Sequence, residues 1–381
     1  MQYLNAPTNI VHRSTKRRGG IPPMIQDNMD KDRRSFLPGQ LWTDTDGNPI
    51  EAHGGTMYQE DGVYYWLGED KSHTSKRGKT WTWGIRLYSS TDLYNWKFEK
   101  HIIEPEPQNK KSIFHPNRRL DRPHLLRNPK TGKYVLWVKY CDKNHYAVLT
   151  ADQITGPYTL VEPFLQPYGH ESGDFDLVLD TEKGDAYIYF EADHETLLVA
   201  KLNEEFTNVQ GEPSIVYDVL KPPLTREAPA HFMRNGKHYL ITSGMTGYCP
   251  NPTEIAVADD WMGPFTVMGD PCVDDASSAS FNSQPSHVFR VEGTDTYVMM
   301  ADRWVPDYVM TKERYDVFYR VIYSRVDKSL HPSPKDMLAL AKAPLIGSAD
   351  TSKARYVWLP FTWEEGFPKL HWRETWSLPL V

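Results

Sequence analysis

The chain has 381 residues, of which 39% are hydrophobic, so it can bury one large core or two smaller ones. Its formal net charge of -7 gives no reason to expect nucleic acid or an anionic membrane as a partner, since both call for a basic surface, and a neutral partner fits better. The three cysteines are too few and too far apart for a disulfide framework or a structural zinc site, which predicts free buried thiols at Cys141, Cys249 and Cys272.

The N-terminal sequence has no apolar run of the kind that a signal peptide needs, and no stretch of about 18 apolar residues occurs. These features predict a cytoplasmic protein. A signal removed by processing would leave the same sequence, with a secreted or periplasmic protein as the alternative.

Aromatic residues make up 13% of the chain, including 12 Trp and 22 Tyr. One interpretation is a core with an ordinary surface. The other is a sugar-binding cleft, because the apolar face of a pyranose stacks on flat aromatic rings.

Five segments along the chain share a turn followed by a Tyr-led apolar run, which is typical of a β-hairpin. They are "EDGVYYWLGED", "PKTGKYVLWVKY", "EKGDAYIYFEAD", "RNGKHYLITSG" and "EGTDTYVMMADRW". Measured from Tyr65, Tyr134, Tyr187, Tyr239 and Tyr297, the spacings are 69, 53, 52 and 58 residues. About four strands in each of five units predict an all-β, single-domain, five-bladed β-propeller. A β-sandwich is the alternative, but it would lack this longer period.

The repeat also sets the predicted domain limits. Residues 1–37 are an N-terminal extension, 38–330 the propeller, and 331–381 a Trp-rich C-terminal segment; we expect both end segments to wrap the ring. The only helix that the sequence predicts is a short one near 333–345.

Each unit carries a polar side chain just before its first apolar strand. The stretches are "EAHGG" (51–55), "LDRPHLL" (120–126), "ESGDFDL" (171–177), "REAPAHF" (226–232) and "NSQPSHVF" (282–289). Three carboxylates, Asp121, Asp174 and Glu227, are placed in one register, and radial repetition makes such positions neighbours around one axis. Converging carboxylates without a metal site or a lysine cluster are typical of glycoside hydrolysis.

Seven segments in order carry a resemblance to a known family. They include "LPGQLWTDTDGNPIEAHGG", "DRPHLLRNPKTGKYVLWV", "REAPAHFMRNGKHYLITSGMTGYCPN", "NSQPSHVF" and "MMADRW". Over about residues 38–361 the chain resembles glycoside hydrolase family 43, in particular its exo-β-1,3-galactanase branch. The resemblance implies a five-bladed propeller with a central pocket, and exo-acting hydrolysis of a terminal galactose with inversion.

The resemblance also implies residue roles. Glu227 falls on the general acid, Asp121 on the acidic residue that tunes it, and Gln284 on a glutamine that holds the attacking water. The same segments, together with aromatic residues that we expect to form the walls of the pocket, supply the candidate substrate-binding residues. These are His53, Glu69, Arg122, Tyr146, Asp174, Thr246, Tyr248, Asp302 and Trp304. Because an amide cannot accept the proton of water, Glu51 is a further candidate catalytic carboxylate, with a solvated strand-entry role as the alternative.

The chemistry of the residues supports Glu227 as the acid. A carboxyl that protonates a glycosidic oxygen near neutral pH needs a raised pKa, which an apolar Ala-Pro-Ala neighbourhood and a second carboxylate both favour.

Four positions depart from the branch: "HGGT" replaces a triple-glycine run, Asp121 replaces Glu, Gly173 replaces Arg, and Tyr248 replaces Trp. They leave a β-galactofuranosidase or an α-L-arabinofuranosidase as alternatives, and a non-catalytic carbohydrate-binding propeller as an alternative of another class. We expect an oligosaccharide or polysaccharide partner. No cofactor is required, although calcium or another cation on the axis near His287 is compatible with the sequence.

Overall fold

The computed structural model describes residues 33–142, 144–344 and 349–379 of the chain. Within these ranges the chain is mostly β-strand, arranged as five antiparallel sheets with two α-helices. The predicted extension at 1–37 lies mostly outside the described residues. Among the described helices, none is both long enough and apolar enough to cross a membrane.

The first three sheets, or blades, each consist of four consecutive strands. Blade 1 contains β1 (His53–Glu60), β2 (Val63–Glu69), β3 (Ile85–Ser90) and β4 (Lys97–Ile103). Blade 2 contains β5 (Leu120–Arg127), β6 (Tyr134–Tyr140), β7 (His145–Ala151) and β8 (Thr159–Leu165). Blade 3 contains β9 (Ser172–Asp180), β10 (Asp185–Ala192), β11 (Thr196–Leu202) and β12 (Val209–Tyr217).

The last two blades complete the ring. Blade 4 contains β13 (Arg226–Arg234), β14 (Lys237–Gly244), β15 (Glu254–Ala258) and β16 (Thr266–Gly269). Blade 5 contains β17 (Gln284–Arg290), β18 (Tyr297–Arg303), β20 (Leu359–Glu364) and β21 (Phe367–Leu370), and the short β19 (Arg355–Tyr356) also pairs with β18.

Tight turns explain why the Tyr-led segments form hairpins. Asp61 and Gly62 join β1 to β2 with φ of 51° and 75°, and Asn235 and Gly236 join β13 to β14 with φ of 53° and 73°. Two consecutive residues with positive φ match the twist of the two strands, and Asp-Gly and Asn-Gly adopt this conformation readily.

The inner strands pack in ring order. β1 contacts β5, β5 contacts β9, β9 contacts β13, β13 contacts β17, and β17 returns to β1. The prediction of an all-β, five-bladed propeller is therefore confirmed.

The C-terminal limit of the predicted propeller is wrong, because the sequence boundary at 330 cuts through blade 5. Its two outer strands come from 359–370, within the segment that the sequence placed outside the ring. Glu365 and Gly366, with φ of 52° and 82°, form their hairpin turn. A long insertion separates this hairpin in sequence from β18, the strand that its sheet continues, and the repeat pattern therefore did not include it.

Tryptophan side chains pack between the first blade and the fifth. Trp66 and Trp358 are fully buried with ring centres 4.7 Å apart, and Trp42 lies against both of them. Phe36 stacks on Trp376 at 4.2 Å, and its N–H donates to the Trp376 carbonyl at 2.8 Å. Much of the aromatic excess of the chain therefore belongs to the core.

The insertion between β18 and β19 carries two helices, α1 (Lys312–Tyr323) and α2 (Pro334–Leu340). The sequence predicted α2 but missed α1, because "YDVFYRVIY" is rich in residues that favour strands. Phe318 of α1 is buried with Met310 and Cys249, so the insertion packs beneath the loop that follows Tyr248.

Candidate active site

The candidate site is built by the first two strands of each blade. Residues at the start of the inner strand pair with residues at the end of the second strand, in the register His53 with Glu69, Asp121 with Lys139, Glu227 with Ser243, and Gln284 with Asp302. A register shift follows each pair, so that the inner strand carries one extra residue there. Such bulges bend a strand and turn a side chain away from the regular alternation.

Left-handed backbone marks three of these bulges. Gly54, Arg122 and Ala228, which follow His53, Asp121 and Glu227, have φ of 56°, 51° and 52°. A non-glycine residue rarely adopts this conformation, and the rest of the fold must hold it there.

The register corrects two sequence predictions. His53, and not Glu51, occupies the position in blade 1 that Asp121 and Glu227 occupy in theirs. In blade 3 the paired position is held by Ser172, and Asp174 lies within the bulge two residues later. The sequence interpretation placed Glu51 and Asp174 by their distance from the next apolar run. That distance does not reveal an extra residue in the strand.

A cavity of about 540 Å³ lies where the inner strands converge. Its lining residues come from all five blades and from the loops above them: Glu69, Trp81, Arg119, Asp121, Arg122, Lys139, Cys141, Asp174, Glu227, Gly247, Tyr248, Gln284 and Trp304. Besides Asp121 and Glu227, the cavity brings together six predicted site residues, namely Glu69, Arg122, Asp174, Tyr248, Gln284 and Trp304.

Glu227 is the pocket carboxyl best suited to carry a proton. Burial, and next the negative charge of Asp174, raise its pKa to about 8 against the opposing charges of Lys139 and Arg122. Within the described part of the chain, the one side chain that donates a hydrogen bond to it is Gln284, whose Nε2 lies 3.1 Å from Oε1. Because Oε1 accepts this bond, the proton belongs on Oε2, where it can be donated to a ligand.

Gln284 uses its whole hydrogen-bonding capacity within the site. Its Nε2 donates to Glu227 and to Ser243 Oγ, at 3.1 and 3.0 Å. Its Oε1 accepts from Arg122 Nη2 at 2.7 Å and from Trp304 Nε1 at 2.9 Å. Arg122 and Trp304 can only donate, so they fix which end of the amide faces them.

Asp121 is tightly held and ionised. Its Oδ1 accepts a hydrogen bond from Trp81 Nε1, and its Oδ2 accepts one from the Cys141 thiol at 2.9 Å. Lys71 Nζ lies 3.6 Å from Oδ1. Although burial opposes it, the charges of Lys71 and Lys139 hold the pKa of Asp121 below its usual value.

Glu69 is the second glutamate of the pocket and contrasts with Glu227. Burial raises its pKa to about 8 against the opposing charge of Lys71. However, Glu69 pairs with the Lys71 ammonium, and its Oε1 accepts the Arg122 backbone N–H at 3.0 Å. Both oxygens therefore face donors, which favours an anion that holds the bulge after Asp121 in place.

Asp174 lies between two cations. Lys139 Nζ is 2.7 Å from Oδ1, and Arg122 Nη2 is 3.1 Å from Oδ2. Burial favours its neutral form, but these charges lower its pKa. Asp174 is thus an ionised carboxylate of the pocket.

Three rings form an aromatic wall. The Trp81 and Tyr248 ring centres are 6.3 Å apart, and the Tyr248 and Trp304 centres are 5.8 Å apart. Flat apolar surface beside convergent polar groups is the composition of a small-molecule site, and it suits a sugar.

Four predicted substrate-binding residues lie behind the cavity wall. Tyr146 is fully buried and donates to the Gly173 carbonyl at 3.0 Å, and Thr246 donates to the Cys249 carbonyl at 2.7 Å. His53 Nδ1 lies 2.8 Å from Asp302, which also accepts the Gly54 N–H. These residues support the bulges and the Tyr248 loop, and they do not line the cavity.

Glu51 is also outside the cavity. Its Oε2 accepts the Lys71 N–H at 3.1 Å and lies 3.6 Å from His53 Nε2. Burial raises its pKa. A position behind Lys71 and His53 suits a structural carboxylate better than one that contacts a substrate.

Gly173 fills its place for steric reasons. A Cβ at this position would lie 1.6 Å from Glu191 Oε2, a distance that no real Cβ shows. The Glu191 carboxylate thus occupies the space beside the bulge, and Glu191 also pairs with His194 at 3.0 Å.

Three pocket groups were missed by the sequence interpretation. Lys71 and Lys139 contradict the expectation of a site without lysines, and Trp81 completes the aromatic wall. Lys139 was predictable in principle, because it pairs with Asp121 across the hairpin. Lys71 and Trp81 lie on a long loop after β2, whose position no sequence pattern predicts.

Cys249 and Cys272 are buried and free as predicted, but Cys141 is half-exposed in the pocket.

His124, Asp176 and His287 form a buried cluster on three inner strands. Their ligand atoms all lie within 4.8 Å of one another. His124 Nδ1 and His287 Nδ1 are 2.9 and 3.4 Å from Asp176 Oδ1, but these atoms make no well-directed hydrogen bond. Two imidazoles and a carboxylate suit a transition-metal ion better than calcium, which prefers oxygen ligands.

Comparison with known proteins gives one family. The model of the glycosyl hydrolases family 43 matches residues 48–313. No curated protein matches the sequence significantly.

Several solved structures are similar. The GH43 β-1,3-galactosidase BT0265 is 30% identical with a TM-score of 0.72; the match covers 91% of this chain and 64% of that protein. This chain thus spans less than two thirds of BT0265. An exo-β-1,3-galactanase from Phanerochaete chrysosporium, solved with β-1,3-galactotriose, is 24% identical with a TM-score of 0.70, covering 90% and 68% of the two chains. The exo-β-1,3-galactanase from Clostridium thermocellum is 23% identical with a TM-score of 0.67, covering 90% and 66%.

Proposed function

The chain belongs to glycosyl hydrolase family 43, and from this premise we propose that it is an exo-acting, inverting glycoside hydrolase that removes terminal galactose from β-1,3-galactan-type glycans. The observation that carries the proposal is Glu227, a pocket carboxyl with a pKa raised to about 8 among carboxylates that remain ionised. The likeness to BT0265 supports the choice of galactose.

In the proposed reaction Glu227 donates its proton to the glycosidic oxygen as the bond from that oxygen to C1 breaks. Water attacks C1 from the opposite face, and its proton leaves to solvent. Gln284 orients Glu227 through the bond to Oε1, and we propose that Gln284 also positions the water, by exchanging its bond to Ser243 for one to the water. The wall of Trp81, Tyr248 and Trp304 would bind the sugar faces.

The substrate is tested with a panel of β-1,3-galactobiose and the aryl β-galactopyranoside, β-galactofuranoside and α-arabinofuranoside. We expect hydrolysis of the galactobiose and of the galactopyranoside, and proton NMR should show galactose with inverted anomeric configuration. Preference for a furanoside would favour the alternative activities. Hydrolysis of none would favour a carbohydrate-binding propeller, and retained configuration would refute the inverting mechanism.

The pH dependence follows from the raised pKa of Glu227. The acid must be protonated to act, so kcat/KM for galactobiose should be sustained at neutral pH and fall as pH rises through about 8. Measuring kcat/KM from pH 5 to 10 checks this, with the alkaline decline expected to be absent in Glu227→Gln. An alkaline decline that persists unchanged in that variant would assign it to another group.

We also propose that the His124, Asp176 and His287 cluster holds one divalent cation. Its buried, unpartnered nitrogen and oxygen atoms support this proposal, and the cation would tie three blades together. Elemental analysis of the purified protein should find about one equivalent of a transition metal, lost when both histidines are replaced by Ala. A His73→Ala variant is the control, because His73 is exposed on a loop. Equal metal content in all three proteins would contradict the proposal.

A further inference from the structure

Arg119 is a cation of the pocket wall that the proposed reaction does not use. It lines the cavity with Trp81 and Cys141, and its guanidinium lies 4.4 Å from the centre of the Trp81 ring. Among the described residues, no carboxylate lies within 4.0 Å of it and no acceptor takes a hydrogen bond from its side chain.

The other cations of the site are all paired. Lys71 pairs with Glu69, and Arg122 and Lys139 pair with Asp174 at 3.1 and 2.7 Å. Asp121, the carboxylate nearest in sequence to Arg119, already has Trp81 and Cys141 on its two oxygens. Arg119 therefore carries a positive charge that is not paired with any of these pocket carboxylates.

The arginine is also held in position. Its backbone adopts φ of 57°, uncommon for a non-glycine residue, and its carbonyl accepts the Cys141 N–H at 3.1 Å. The Trp81 ring beneath it is fixed by the bond from its N–H to Asp121. A guanidinium fixed before binding loses less conformational entropy when a ligand arrives.

The charges of the site leave a positive excess. The cations are Lys71, Arg119, Arg122 and Lys139, and the carboxylates are Glu69, Asp121, Asp174 and Glu227. Asp302 and Glu191 lie behind these groups, next to His53 and His194. Among the cations and carboxylates just named, with Glu227 protonated, four positive charges face three negative ones, in a chain whose net charge is -7. Because an unpaired charge in a partly dehydrated site is unfavourable, this excess favours an anionic ligand.

We infer that the pocket also accepts a terminal sugar that carries a carboxylate, a uronosyl residue, with the carboxylate paired to Arg119. The inference rests on the proposed function, since the same acid and the same bond cleavage are used and the carboxylate itself is unchanged. A planar guanidinium matches a carboxylate through two parallel hydrogen bonds. Because Arg119 lines the cavity itself, the carboxylate that pairs with it would be on the sugar inside the cavity.

The test compares kcat/KM for 4-nitrophenyl β-galacturonide and 4-nitrophenyl β-galactopyranoside. In Arg119→Gln the ratio of the first to the second should fall about tenfold or more, because a charge-assisted pair is lost. Arg119→Lys should recover part of the ratio. Arg118→Gln is the matched control: Arg118 donates to the Lys110 carbonyl at 2.6 Å and does not line the cavity, so the ratio should stay as in the wild type.

Two outcomes would overturn the inference while the proposed function stands. One is a wild-type protein that hydrolyses the galactopyranoside and not the galacturonide. The other is an Arg119→Gln variant that loses activity equally on both substrates, as a purely structural role predicts. If the wild type hydrolyses neither of these substrates nor β-1,3-galactobiose, the proposed function fails. Calorimetric binding then decides the inference: galacturonate must bind more tightly than galactose, and Arg119→Gln must abolish the difference.

Discussion

Glu227→Gln is expected to lower kcat/KM roughly 10²–10⁴-fold for galactobiose and other substrates with a poor leaving group. The substitution keeps the size of the side chain and an oxygen for the hydrogen bond from Gln284, and it removes only the proton that the leaving oxygen needs. An aryl galactoside with a good leaving group departs without protonation, so its kcat/KM should fall much less. Steady-state kinetics on the two substrates measure the difference.

The matched control is Glu205→Gln, because Glu205 is exposed on a loop between β11 and β12 and lies away from the cavity. It should leave both rates as in the wild type. An equal loss on both substrates in Glu227→Gln would show that Glu227 acts on binding or on the fold. The proton donor would then have to be sought at Glu69, whose pKa burial also raises.

Gln284→Ala is expected to lower kcat/KM about 10²-fold on both substrate types. A displacement of the reacting groups by about 1 Å is enough for an effect of that size. Gln284 bonds to Glu227, Ser243, Arg122 and Trp304, and Arg122 in turn holds Asp174. Removing the amide therefore releases the acid, part of the aromatic wall and a cation at once. Attack by water should suffer whichever group leaves.

The comparison between substrates separates two roles of Gln284. If it only orients Glu227, the poor leaving group alone should be affected, and the proposal that Gln284 positions water would be contradicted. Gln153→Ala, at an exposed turn before β8, is the control and should change neither rate. Thermal unfolding of both variants shows whether the fold is retained.

The strands and their turns were predictable because their causes are local. A Tyr-led apolar run after Asp-Gly or Asn-Gly forms a hairpin from short-range preferences alone, and five such runs at a long period leave few folds other than a propeller. Glu227 was predictable for a similar reason, since its apolar neighbours are adjacent in sequence. The hairpin of β20 and β21 was not predicted to belong to blade 5, because an insertion with two helices separates it from β18.

The sequence by itself determined the all-β repeat, the strand entries that carry Asp121, Glu227 and Gln284, and the family. The tertiary structure decided which side chains reach the cavity. The bulges in β5 and β13 follow Asp121 and Glu227, which line it, whereas Tyr146 on β7 lies behind the wall. It also decided the charges: Lys71 and Lys139 meet the carboxylates only through folding, and a pKa depends on the distance to such charges and on burial. Neither distance nor burial is a property of sequence neighbours, and so the unpaired Arg119 is visible only in the folded chain.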